Sequence, residues 1–286
     1  MFLAGVVLFV TSRPKSFFRK MSVAGLVGLL AFDLLRFGWK FTPFVKKDWL
    51  FPLTETIEFL QKDEDIFRIM MTDRRILPPN FNVFYRLETV SGYDPLYLRR
   101  YGELIAAMER SEPDISPPFG FNRIITPHNF ESRLVDLMNV KYVLSLTDLG
   151  SEKLELIFQE GQTRVYENKN VFPRAFMVFD YLVAEDRQEA VSLLMDKTID
   201  LHRTVILEEK PAASSVREQK GQAKVEIKDY TENKVVVEVA TPAEGLLVLA
   251  DAYYPGWQVW VSGQAVPIYR ANYHFRAVVV PEGKYE

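Results

Sequence analysis

The sequence predicts a chain of mixed α/β and α+β class: a membrane helix, then an α/β layer domain, then a β-sandwich of jelly-roll or immunoglobulin-like kind. Three observations predict it. The apolar residues of the first forty positions fall into two blocks, 1–10 and 21–39. Residues 48–170 alternate helix-period segments with short apolar runs, the pattern of layers around a mostly parallel sheet. From Phe172 onward short alternating segments are separated by turn residues, as in a sandwich. The expected bounds are therefore 1–47, 48–170 and 171–286.

The block 1–10 is too short to cross about 30 Å of hydrocarbon. A signal peptide would carry its positive charge before the apolar stretch. Here Arg13, Lys15, Arg19 and Lys20 follow it, which predicts the tail of a helix that begins upstream. Residues 11–20 read as a basic loop on the cytoplasmic side, and 21–39 as one complete span ending in the aromatic belt of Trp39 and Phe41. Everything after Phe41 is then expected outside the cytoplasm. Asp33 and Arg36, three apart on one helix face, read as an ion pair anchoring the helix near the outer interface, the competing reading being a functional pair inside the membrane.

In 48–170, helices are expected over 54–61, 95–110 and 132–138, and strands over 66–71, 82–90 and 140–146. A hairpin joins 154–158 to 163–167. In 171–286 one helix is expected over 186–195, with Asp186 as its cap. Strands are expected over 175–179, 204–207, 223–230, 234–240, 246–252, 257–261, 266–269 and 275–280. Residues 208–222 read as a long surface loop. The turn 281–284 predicts a returning strand from Tyr285, so the carboxyl end also reads as truncated.

Composition removes several function classes. The 35 basic and 38 acidic residues leave a net charge of −3, which argues against a nucleic-acid partner. The absence of cysteine excludes a thiol nucleophile, a disulfide framework and a zinc–thiolate site. His128, His202 and His274 lack ligand spacing, so no metal site is expected. No Walker, GxSxG, HExxH or GxGxxG signature is present.

Two constellations remain as candidate ligand contacts. Gly92-Tyr93-Asp94-Pro95 joins an expected strand to an expected helix, which would present Tyr93 and Asp94 at a sheet edge with Arg99 one turn on. The competing reading is an Asp-Pro turn with Asp94 capping the helix. In the sandwich, alternation turns Trp257 inward and Trp260 outward. If 270–276 stays extended, Arg270, Asn272, His274 and Arg276 share one face, suited to a polyol or an anionic polymer. An ordinary solvated strand face would show the same alternation.

The residues also resemble a known family. Leu246-Leu247-Val248-Leu249-Ala250-Asp251, Tyr253-Tyr254-Pro255-Gly256-Trp257, Pro267-Ile268-Tyr269-Arg270-Ala271-Asn272-Tyr273 and Phe275-Arg276 resemble the carboxyl-terminal region of bacterial YfhO-like membrane proteins. So do Ser91-Gly92-Tyr93-Asp94-Pro95-Leu96-Tyr97 with Arg99 and Tyr101, Asn139-Val140-Lys141-Tyr142-Val143-Leu144, Val165-Tyr166-Glu167-Asn168, Pro173-Arg174-Ala175-Phe176, and Asp33-Leu34-Leu35-Arg36-Phe37-Gly38. The resemblance implies a multi-span protein similar to GT-C lipid-linked sugar transferases, using a polyprenyl-phosphate sugar donor. It implies a membrane setting and a surface glycopolymer or glycolipid acceptor, such as lipoteichoic acid. In that class the catalytic carboxylate lies in an early loop, upstream of Met1, so no residue here inherits a catalytic or cofactor-binding role. The alternative is a non-catalytic envelope scaffold or transport or flippase accessory protein.

Overall fold

A computed structural model describes residues 16–41, 45–212 and 222–286. The chain divides into two compact units, Met1–Pro52 and Leu53–Glu286. In the first, helix α1 spans Ser16–Phe41, and its stretch Arg19–Phe41 has a mean hydropathy of 1.6 over its most apolar window. Its 23 residues would reach about 34 Å at 1.5 Å per residue, enough for a bilayer core. The helix starts earlier than the sequence pattern suggests: Ser16–Lys20, expected in a basic loop, are helical. Arg19 and Lys20 are exposed, and long basic side chains can extend toward polar surroundings from a helix end without breaking it. The expected helix over 1–10 lies outside the described residues. Among the described residues no ion pair joins Asp33 to Arg36, and both are exposed. Phe37 and Phe41, four apart, stack at 4.2 Å.

In the second unit, α2 (Glu55–Gln61) starts where Thr54 accepts from Ile57 N at 3.3 Å. Glu160 completes the start, its Oε2 accepting from Thr56 N at 2.8 Å. The chain then forms β1 (Arg68–Met71), β2 (Glu88–Thr89), and a short pair, β3 (Gly92–Tyr93) with β4 (Ile124–Ile125). Between the latter lies α3 (Arg99–Arg110). Helix α4 (Arg133–Leu137), capped by Ser132, leads into β5 (Val140–Ser145), then the hairpin β6 (Leu154–Glu160) and β7 (Thr163–Asn168). Strands β2, β1 and β5 are parallel, and β7 and β6 add antiparallel, giving the order β2-β1-β5-β7-β6. The sheet is thus mixed, because the hairpin turning at Gly161 (φ +55°) docks on β5. The strand expected over 82–90 is mostly a 3-10 turn (Phe81–Val83), with only β2 extended.

Strands β8 (Ala175–Val178) and β9 (Asp180–Val183) follow, then α5 (Arg187–Met195) with Asp186 accepting from Glu189 N at 2.8 Å, and β10 (Thr204–Leu207). Next come β11 (Lys224–Tyr230), β12 (Val235–Thr241), β13 (Gly245–Leu249) and the hairpin β14 (Val259–Val261) with β15 (Gln264–Val266). The chain ends with β16 (Tyr269–Ala271), β17 (Phe275–Val280) and β18 (Gly283–Tyr285). Six strands form a sheet ordered β8-β13-β17-β16-β10-β9, and three form β11-β12-β18. The two share an apolar layer of Val239, Val278 and Val280, with Met177, Leu247 and Ile268 around it, as the two faces of a half-barrel. The other face of the six-stranded sheet belongs to a larger core that runs from Met70 and Val143 through Leu104 and Leu194 to Val248 and Phe275. Of the long loop expected over 208–222, residues 213–221 lie outside the described set.

Candidate functional site

Two polar constellations sit on this frame. The first centres on Asp251, just after β13. Its Oδ1 accepts from Arg68 Nη2 at 2.9 Å, Arg174 Nη1 at 2.9 Å and the Tyr230 hydroxyl at 3.0 Å. Its Oδ2 accepts from Arg276 Nη2 at 3.1 Å. Arg174 also donates to Glu88 Oε2 at 2.8 Å and to Asn139 Oδ1 at 3.0 Å, and Arg68 donates to the carbonyls of Met138 and Ala250. Burial pushes the Asp251 carboxyl up, but Arg68, Arg174 and Arg276 outweigh it and hold the group below its ordinary value. Glu88 and Arg68 come from the mixed sheet, Arg174 and Arg276 from the segments around β8 and β17. The cluster therefore ties the two sheets together.

The second constellation lines a pocket of about 340 Å³. The mixed-sheet side contributes Arg68, Thr89 and Ser91, the β3 region Tyr93 and Asp94, and the α3 approach Tyr97 and Tyr101. The six-stranded sheet side contributes Ala252, His274 and Phe275. Tyr93 is held by a two-bond clasp: Asn80 Nδ2 donates to Tyr93 O at 2.8 Å, and Tyr93 N donates to Asn80 Oδ1 at 2.9 Å. Asp94 accepts from Leu96 N at 2.7 Å, a local turn rather than the expected helix cap. Helix α3 begins five residues later, at Arg99, with no side chain capping it. A Cβ on Gly102 would lie 2.5 Å from the Tyr97 ring, so glycine there lets that ring come close to the helix beside the pocket. Tyr101 donates its hydroxyl to Val90 O, and its ring lies 5.5 Å from that of His274.

His274 is 6 % exposed, and among the described residues its Nδ1 has no partner. The Ser91 hydroxyl is likewise buried and unpartnered. Burial, reinforced by Arg68, Arg270 and Arg100, pushes the imidazole down to about 4, so it is neutral near pH 7. A neutral imidazole offers one acceptor and one donor. The pocket thus combines tyrosine faces with two buried polar atoms whose hydrogen bonds are unmet. Aromatic rings beside unmet polar atoms offer both apolar and hydrogen-bonding contact.

The other sequence-predicted residues are distributed differently. Arg270, Asn272, His274 and Arg276 do not share an extended face. The backbone turns at Asn272 (φ +45°) and Tyr273 (φ +70°), so Arg270 and Arg276 become cross-strand partners in the β16–β17 hairpin. Asn272 is fully buried and bonds Ile206 twice, donating N–H to its carbonyl at 2.7 Å and accepting from its amide at 3.0 Å. Arg276 is buried on Asp251 with its guanidinium 4.2 Å from the Trp257 ring. Arg270 lies 4.2 Å over Tyr253 and 3.8 Å from Glu208. Arg99 pairs with buried Glu103 at 2.8 Å, away from Tyr93 and Asp94 in role. Trp260 projects outward at 54 % exposure on the β14–β15 hairpin, while Trp257 is half-buried. The structure therefore gathers Tyr93, Asp94 and His274 in one pocket. Ser91, Tyr97 and Tyr101, which flank Tyr93 in sequence, join them, and Arg68 comes from the distant strand β1.

Residues 185–286 match the family model described as bacterial membrane protein YfhO, in the region where the sequence resemblance is densest. No curated protein and no solved structure matches the chain.

Proposed function

We propose, from the premise that the chain is YfhO-like over residues 185–286, that it is the sugar-engaging part of an envelope membrane protein. The Tyr93–His274 pocket holds a sugar ring of a glycopolymer or glycolipid such as lipoteichoic acid, on the extracytoplasmic side. The transfer itself draws on a polyprenyl-phosphate sugar, and the carboxylate that drives it is not among these residues. The pocket's part is recognition and orientation, which lowers the barrier by fixing the geometry of approach.

One observation carries the reading: a 340 Å³ pocket edged by tyrosines in which the Ser91 hydroxyl and His274 Nδ1 are buried without partners. Buried polar groups are nearly always satisfied, so two residues of one pocket lining that each carry an unmet buried polar atom favour a polar occupant. The test is the glycosyl content of purified surface polymers, read by NMR, in a strain lacking the gene and in strains complemented with wild type, Tyr93→Ala or His274→Gln. Loss of a sugar signal on deletion, its restoration by wild type and its reduction in both variants support the reading. An unchanged profile on deletion assigns the protein to the scaffold or transport class instead.

A further inference from the structure

Apolar side chains stand in solvent on the two loops that carry the pocket residues Asn80, Tyr93 and Leu98. Val83 is 69 % exposed, Leu96 86 %, Tyr93 41 % and Leu98 37 %. They sit on two loops joined by the Asn80–Tyr93 clasp. Local bonds fix both loops: Val83 N donates to Asn80 O at 3.3 Å, and Leu96 N to Asp94 Oδ1 at 2.7 Å. The apolar groups are therefore held outward by backbone geometry rather than displaced from a core. Exposed apolar clusters of this kind mark interaction surfaces.

Charge narrows the partner. Arg86, Arg99 and Arg123 are exposed on or beside the same loops. Among the described residues neither Arg86 nor Arg123 is in an ion pair, and the Arg123 guanidinium lies 5.9 Å from the Tyr93 ring centroid. Asp94 is the acidic group of the rim. Apolar side chains flanked by arginines and a tyrosine match the interface of a bilayer. There acyl chains receive the apolar groups and anionic headgroups receive the guanidiniums. The same chain carries a helix long and apolar enough to cross a membrane.

We infer that the loops around Val83 and Leu96 form an interfacial anchor that enters the surface of an anionic bilayer, so that the pocket opens at the headgroup layer. The inference takes its purpose from the sugar-binding reading but not its geometry. The pocket then receives ligands presented at the membrane surface in preference to the same sugars free in solution.

The chain has no cysteine, so one engineered thiol carries a label. An environment-sensitive dye is attached at Leu96→Cys, at Val83→Cys or, as a control on the sandwich, at Tyr254→Cys. Tyr254 is 58 % exposed. The full chain is reconstituted in vesicles of phosphatidylcholine and phosphatidylglycerol without ligand. Spin-labelled lipid should quench the dyes at 83 and 96 and leave the dye at 254 bright, and Arg86→Glu with Arg123→Glu should weaken the quenching. Aqueous emission at all three positions overturns the inference, as does blue-shifted emission at 83 and 96 that lipid does not quench, which would assign the patch to a protein contact. Either result leaves sugar binding in the pocket untouched, so the two readings fail separately.

Discussion

The cluster around Asp251 and the pocket around His274 lie in the same unit and share Arg68, yet they are built on opposite terms. At Asp251 every charge meets a counter-charge: three guanidiniums and a tyrosine hydroxyl converge on one carboxylate, and Glu88 takes the outer side of Arg174. At His274 the imidazole is equally buried, but its Nδ1 and the Ser91 hydroxyl are unmet. A network of paired buried charges, largely saturated although Arg276 Nε has no partner among the described residues, loses much when cut. An unsaturated one costs stability in the empty protein and gains most from a hydrogen-bonding occupant. The contrast fits an architectural role for the first cluster and the recognition role proposed for the second.

The largest effect that would break this contrast is at Asp251. Asp251→Ala leaves Arg68, Arg174 and Arg276 without their common anion and should cost about 3–5 kcal/mol, read by denaturant unfolding of the full chain in detergent. A cost below about 1 kcal/mol would remove the architectural role. Because Asp251 is held below 3.8, its contribution is complete above that pH and is lost as the pH falls through its lower folded value.

His274 should show a different window. Its folded value is about 4 against an ordinary 6.5, so the unfolded chain binds the extra proton between those limits. Its contribution is complete above pH 6.5 and declines as the pH falls toward 4, by at most about 3 kcal/mol. Unfolding of His274→Gln should lack that slope. A variant that keeps it would trace the slope to other groups.

Tyr93→Ala should weaken sugar binding about tenfold, the value of one aromatic face, with no change in Tm, since the side chain is exposed. The smallest effect belongs to a residue of neither cluster: Glu160→Ala removes the acceptor that caps α2 and should cost about 1 kcal/mol while leaving binding unchanged.

The legible parts of the fold were those whose signals are local. The cap at Asp186 is written in adjacent residues, and the elements expected over 54–61, 132–138, 186–195, 204–207 and 275–280 form close to where the sequence predicts them. Alternation also separated half-buried Trp257 from exposed Trp260. The β16–β17 reversal was missed because two consecutive positive-φ residues usually call for glycine, and here Asn272 and Tyr273 fill them. The asparagine was the available signal. Its side chain stands in for a strand partner on Ile206, a long-range contact that offsets the strain. The same reversal moved Arg276 into the Asp251 cluster. Arg174 and Asp251 carry no periodic signal, since their partners lie from 21 residues away, as with Tyr230 and Asp251, to 183, as with Arg68 and Asp251. Tyr93 and Asp94 were legible as an irregular strand-to-helix junction. That His274 joins them was not, since that follows from how β3 and β17 come together.

The most direct test is saturation-transfer NMR on the full chain in nanodiscs, with a panel of simple hexoses and N-acetylhexosamines. Transfer to ring protons of at least one sugar is expected, reduced in Tyr93→Ala and His274→Gln and unchanged in Trp260→Ala. Transfer that survives in Tyr93→Ala and His274→Gln but vanishes in Trp260→Ala would contradict that expectation and move recognition to the sandwich hairpin.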